Sequence, residues 1–188
     1  MASTRDQIIE TTCELLELQG YHATGLNQII KDSSTPKGSL YYHFPGGKEE
    51  LAVEAIHRVG NIVLTRIREN LAQIESPAEA IHNFIVNIAL RVEMSGFRMG
   101  GPITTIALET ASTSEPLREE CQRIYSGWQA AFADKLSLGG LTTERASTLS
   151  VLIIASIEGG VILCRTHRSR ESLEKIAKEI RTLIQYAL

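Results

Sequence analysis

The sequence predicts an all-α protein of nine helices, three in a small N-terminal module and six in a larger body. Three observations carry this. Apolar residues recur at helical spacing in almost every segment, and no strand–turn–strand alternation survives inspection. Glycine and proline punctuate the chain at intervals that suit helices, most sharply at Phe44-Pro-Gly-Gly47. Hydrophobic residues make up 43 % of the 188-residue chain, enough for a packed core, which excludes a disordered class.

The first helix is expected from Thr4 to Gln19, with Ile8, Ile9, Thr12, Leu15, Leu16 and Leu18 as its apolar stripe and Gly20 as its stop. Thr24 is placed to N-cap a second helix over Leu26–Ser33. The third starts at Pro36, where first-turn amides need no partner inside the helix, and carries Lys37–His43. A long fourth helix, Lys48 to Gln73, presents Leu51, Ala52, Ala55, Ile56, Val59, Ile62, Val63 and Ile67 on one side. Ser76-Pro77 precedes the fifth, Ala78–Glu93. A glycine-rich loop over 94–102 leads to a short sixth helix ending near Ala111. The last three are expected at Leu117–Leu138, at Glu144–Cys164 with Thr142 or Thr143 as cap, and at Glu171–Tyr186. The resulting domains are 1–47 and 48–188.

The first module has a physical logic of its own. Leu26, Ile29 and Ile30 point one helix inward, and Leu40 and Phe44, four apart, do the same for the next. The outward side of the third helix then offers Lys37, Gly38, Ser39, Tyr42 and His43. Its width suits the DNA major groove, and its open N-terminal amides suit a phosphate. Gly38, without a side chain, permits close approach to a backbone or groove.

The run Lys37-Gly-Ser-Leu-Tyr-Tyr-His-Phe44, with Gly20-Tyr21, Thr24 and Lys48 in support, resembles the DNA-binding domain of the TetR family of bacterial repressors over residues 5–57. Pro36, the extra glycine of Phe44-Pro-Gly-Gly47, Glu109-Thr110, Ser114-Glu-Pro-Leu-Arg118, Trp128 and Ile157-Glu-Gly-Gly160 are similar to the LmrA and YxaF branch. The resemblance implies a helix-turn-helix domain followed by a ligand-binding and dimerisation domain. It implies that Thr24 and Lys48 clamp phosphates, that Tyr41 and His43 add backbone contacts, and that Lys37, Ser39 and Tyr42 lie at base edges. Tyr41 also reads as a half-buried core aromatic, His43 as a packing or capping residue, and Lys48 as an exposed helix start. His22 could contact DNA or sit in the first turn. Ser34 stands where the family usually has a turn glycine, so a left-handed backbone there would be strained. Asp32 and the acidic face of Glu10, Glu14 and Glu17 make the module less basic than a nonspecific DNA binder.

For the body, the resemblance implies a receiver whose ligand alters the separation of two DNA-binding heads. The expected effector is small, aromatic or hydrophobic, and linked to efflux and multidrug resistance genes. Phe97, Met99, Ile103, Leu108, Trp128, Phe132, Ile154 and Glu158 are the candidate pocket, though each taken singly reads more readily as plain core than as a ligand contact. Leu149–Leu163 is too apolar to face water on any side, so a second copy is the simplest cover. Ile153, Ile157, Gly160, Ile176, Ile180, Leu183 and Ile184 are the candidate homodimer interface. Arg165, Arg168 and Arg170 read as a solvated basic connection.

The net charge of −3 excludes a uniformly basic nucleic-acid coat but not a local patch. The three cysteines (Cys13, Cys121, Cys164) are far apart and read as buried reduced thiols. The five histidines form no metal-ligand pair, Gly96–Gly101 lacks the spacing of a phosphate loop, and no nucleophile–base arrangement is near in sequence. An enzyme, a cofactor, a metal and a membrane span are therefore not expected. The expected protein is a cytoplasmic repressor on a palindromic operator. The alternative is the same fold working through a protein partner or as an activator.

Overall fold

A computed structural model describes residues 3–188. It contains nine helices and, among the described residues, no strand: α1 (Thr4–Ala23), α2 (Leu26–Asp32), α3 (Lys37–His43), α4 (Gly47–Ala72), α5 (Pro77–Met94), α6 (Pro102–Thr110), α7 (Glu115–Leu138), α8 (Thr143–His167) and α9 (Glu171–Ala187). Caps fix several starts. Ser3 accepts from Asp6 N, Ser76 from Glu79 N and Thr142 from Arg145 N.

Two starts and stops differ from expectation. Gly20 does not end α1; it breaks it, with φ +80°, and the helix resumes through Ala23. Thr24 does not cap α2, whose N-cap is Gly25; the Thr24 hydroxyl instead donates backward to Gly20 O at 2.7 Å. The amides after Gly20 find their acceptor in a distant part of the chain, described below.

The helices form two compact units that do not follow chain order. The first joins the chain up to Asn61 with Gly101–Ile124, and so contains α1–α3, the first half of α4, α6 and the start of α7. The second joins Ile62–Gly100 with Tyr125–Leu188. Ile8, Leu16, Ile29, Leu40, Phe44, Leu51, Ala55, Ile56, Ile103 and Ile106 form the first core. In the second, Ile81, Ile85, Phe84, Phe132, Ile153, Ile180 and Ile184 are buried, with Phe84 and Phe132 edge to face at 5.6 Å. Cys121 and Cys164 are buried and Cys13 half-buried, all free. Burial, strongest of the influences, pushes the Cys13 and Cys121 thiols up to about 11.

The helix α8 is long and apolar enough to cross a membrane by length and composition alone, with a mean hydropathy of 1.9 over its best window. One side of it faces α5 and α9. Its other side carries Val151, Leu152, Ala155, Gly159, Ile162 and Leu163, all exposed in the single chain.

Candidate nucleic-acid interface

The α2–α3 pair is short, and its geometry is set by what it buries. Ile29 anchors α2, while Leu40 and Phe44 anchor α3 from below. Between them the turn closes with Ser34 in the left-handed region at φ +53°. The buried Ser33 and Thr35 hydroxyls lie 2.8 Å apart there, so the turn is ordered by side chains as well as by backbone.

With Leu40 and Phe44 turned in, α3 turns the rest of its surface out. Lys37, Gly38, Tyr41 and Tyr42 are exposed, and Ser39 and His43 half-buried. The Tyr42 side chain is the most open of the large ones here, at 81 %; its neighbour is the edge of the His43 ring, 5.0 Å between centroids. A Cβ added at Gly38 would meet nothing within 4 Å. Tyr41, 45 % exposed, is not a core aromatic.

The two phosphate-clamp candidates sit differently. Thr24 is 1 % exposed and its hydroxyl is bonded inside the chain, so only a rearrangement would free it for a phosphate. Lys48 is half-buried, its Nζ 4.3 Å from the centroid of the Tyr21 ring. Partial burial lowers its pKa from the usual lysine value, and the Glu109 carboxylate pulls it back up.

Some charges of the module, acidic and basic, are paired with α4. Arg58 of α4 reaches Asp6 at 3.0 Å and Glu10 at 2.8 Å, and Arg5 reaches Glu54 at 2.7 Å. Sequence spacing could not show these pairs because they join helices about fifty residues apart. Nor could it show Glu109, whose Oε2 accepts from the amides of Tyr21 at 2.7 Å and His22 at 2.9 Å. The Gly20 signal marked the place without revealing the partner.

The candidate pocket residues are divided between the two units. Ile103 and Leu108 belong to the first unit; Phe97, Met99, Trp128, Phe132, Ile154 and Glu158 belong to the second. Leu108 is 78 % exposed, which suits no enclosed pocket, because α6 turns Ile103 and Ile106 inward and Leu108 lies off that face. Within the second unit Trp128, Phe132 and Ile154 are buried, Phe97 and Glu158 half-buried and Met99 exposed. A groove of about 350 Å³ elsewhere in that unit is lined by Leu141, Thr142, Arg145, Leu183 and Tyr186 among others, and by none of the eight.

The candidate dimer residues need a correction of face. Ile153, Ile157, Gly160, Ile180 and Ile184 are buried in the chain's own core, and Ile176 and Leu183 are half-buried. A Cβ on Gly160 would collide with Leu173 and Ile176 of α9. The uncovered side of α8 is the stripe from Val151 to Leu163 described above. In a helix apolar all round, periodicity does not tell the inner face from the outer.

A short helix held by two buried anchors, its other face open to solvent and its start joined to a left-handed turn, defines a helix-turn-helix protein. The chain matches "Bacterial regulatory proteins, tetR family" over residues 8–55 and "Transcriptional regulator LmrA/YxaF-like, C-terminal domain" over residues 77–179. It is 44 % identical to the uncharacterized HTH-type transcriptional regulator YxaF of Bacillus subtilis, across 97 % of this chain and 95 % of that one. It is 39 % identical to the HTH-type transcriptional regulator LmrA of the same organism, across 97 % of each. Among solved structures, a TetR transcriptional regulator from Chloroflexus aurantiacus superposes with a TM-score of 0.81 at 26 % identity, covering 97 % of this chain and 94 % of that one. The chain belongs to the TetR family of bacterial transcriptional regulators, in the LmrA/YxaF-like branch. It is a regulator and not an enzyme.

Proposed function

We propose that this protein is a cytoplasmic homodimeric repressor that holds a palindromic operator through α3 and releases it when a small hydrophobic or aromatic compound binds the body. The genes it controls would include efflux functions. The observation that carries this is the open face of α3. Tyr42, 81 % exposed beside the edge of the His43 ring, and Gly38, where a Cβ would meet nothing within 4 Å, stand beside Lys37 over two fully buried anchors. An exposed aromatic and a bare backbone are costly ornaments on a free helix and useful ones in a groove, where side chains meet base edges and the backbone meets phosphate.

Dimerisation follows from the α8 stripe. Val151, Ala155 and Ile162 with Leu152, Gly159 and Leu163 repeat at the spacing of one helix face, and an identical face on a second copy would cover them around a two-fold axis. Two heads on one axis then read two half-sites, which compensates for a module whose acidic residues (Asp6, Glu10, Glu14, Glu17, Asp32) outnumber its basic ones (Arg5, Lys31, Lys37).

The test is in vitro selection of a bound duplex from random sequence, followed by anisotropy titration with a panel of planar aromatic compounds. A palindromic site should emerge, bound roughly 10³-fold or more tightly than random duplex. The Tyr42→Ala protein should lose about 1–3 kcal/mol on that site with its thermal stability unchanged. At least one compound should reverse the binding. A selected site that no compound reverses would replace the small-molecule arm with a protein partner; no selected site would refute the DNA-binding role.

A further inference from the structure

We propose that Glu109 is a positioning residue for DNA binding: its carboxylate holds the α1 break in the shape that sets Tyr21 beneath Lys48. This rests on the DNA-binding reading above and adds a residue to it that touches no DNA.

The break at Gly20 turns the amides of Tyr21 and His22 away from the helical ladder, as at a new helix start. One oxygen, Glu109 Oε2, accepts both, and a charged acceptor makes such bonds short and strong. The His22 ring adds a contact from Nε2 to Glu109 O at 3.3 Å. Glycine suits position 20 on two counts: φ lies at +80°, and the Glu109 carboxylate occupies the space a Cβ would take and would have to leave it. Thr24 locks the break from the other side through Gly20 O. The residue immediately after the break is Tyr21, whose ring supports Lys48 Nζ. All of these groups lie in one compact unit. Yet Glu109 falls in the segment matching the C-terminal family domain and Tyr21 and Lys48 in the one matching the DNA-binding domain. A second bond ties the same two segments, from Ser114 Oγ to Glu49 Oε1 at 2.6 Å. A displacement of α6 therefore reaches Lys48 through one carboxylate and one ring.

The test uses full-length protein and two substitutions, Glu109→Ala and Glu109→Gln. The glutamine oxygen can accept both amides as Oε2 does; alanine accepts neither. Amide hydrogen exchange at Tyr21 and His22 should rise in Glu109→Ala and stay near wild type in Glu109→Gln. On the duplex selected by the wild type, Glu109→Ala should bind about tenfold more weakly, the loss of roughly one strong hydrogen bond. Glu109→Gln should remain within about threefold. In a Lys48→Ala background, Glu109→Ala should add less than about threefold, because the two act as a unit. Binding by Glu109→Ala equal to wild type, failure of glutamine to rescue, or full additivity with Lys48→Ala would each overturn the proposal. The exchange experiment needs no DNA, so unchanged exchange in Glu109→Ala overturns the latch even where no duplex is selected, whereas an unselective wild type would refute only the DNA-binding reading.

Discussion

Ser34 and Gly38 lie four residues apart and are occupied in the reverse of what the backbone prefers. Ser34 takes a left-handed conformation, φ +53°, that costs a residue with a Cβ on the order of 1 kcal/mol. Gly38 sits inside α3, where glycine is about 1 kcal/mol worse than alanine and where nothing within 4 Å would obstruct a Cβ. The Ser34→Gly protein should thus be more stable by about 0.5–1 kcal/mol, with a melting temperature higher by roughly 1–4 °C. Circular dichroism melts at matched concentration check this; a fall would mean the Ser34 side chain contributes more than its strain. Nothing in the chain's own packing accounts for the glycine at 38; the proposed approach of α3 to DNA would.

Helix α8 shows how two adjacent glycines acquire opposite duties. Gly160 faces α9, where Leu173 and Ile176 occupy the place of its missing Cβ, and Gly159 faces open space. Gly160→Ala should destabilise the protein by about 1–3 kcal/mol through overpacking, less the roughly 1 kcal/mol of helix propensity gained. Gly159→Ala should leave the fold as stable or more so and weaken self-association, read by sedimentation at a series of concentrations. The sequence made α8 legible as a helix buried on several sides and left its two faces interchangeable, since Ile153 and Val151 look alike in composition. Helix count, the break at Ser76-Pro77, a threonine cap at 142 or 143 and the α3 anchors were likewise legible, because periodicity and capping are local. The α1 break, the Arg58 pairs and the Glu109 contact were not, because each depends on a partner about fifty or more residues away. The candidate pocket suffered the same limit: nothing local distinguishes Ile103 in one unit from Ile154 in another.

For the molecule as a whole, the proposed pairing through the exposed row from Val151 to Leu163 would couple stability to assembly by mass action. The melting temperature should rise with protein concentration, and Leu152→Glu should give a monomer that melts lower and independently of concentration. A concentration-independent melt of the wild type would show that the α8 stripe is not covered by a second copy. The interleaving of the two units has a further consequence for anyone building hybrids from relatives. Recombining one relative's first fifty-odd residues with another's remainder would separate Gly20 from the carboxylate it was shaped to admit, and Arg58 or Glu49 from their neighbours. A crossover that respects the packing needs three joints, near 61, 100 and 124, so this regulator exchanges parts as an inlay and not as a cut-and-join pair.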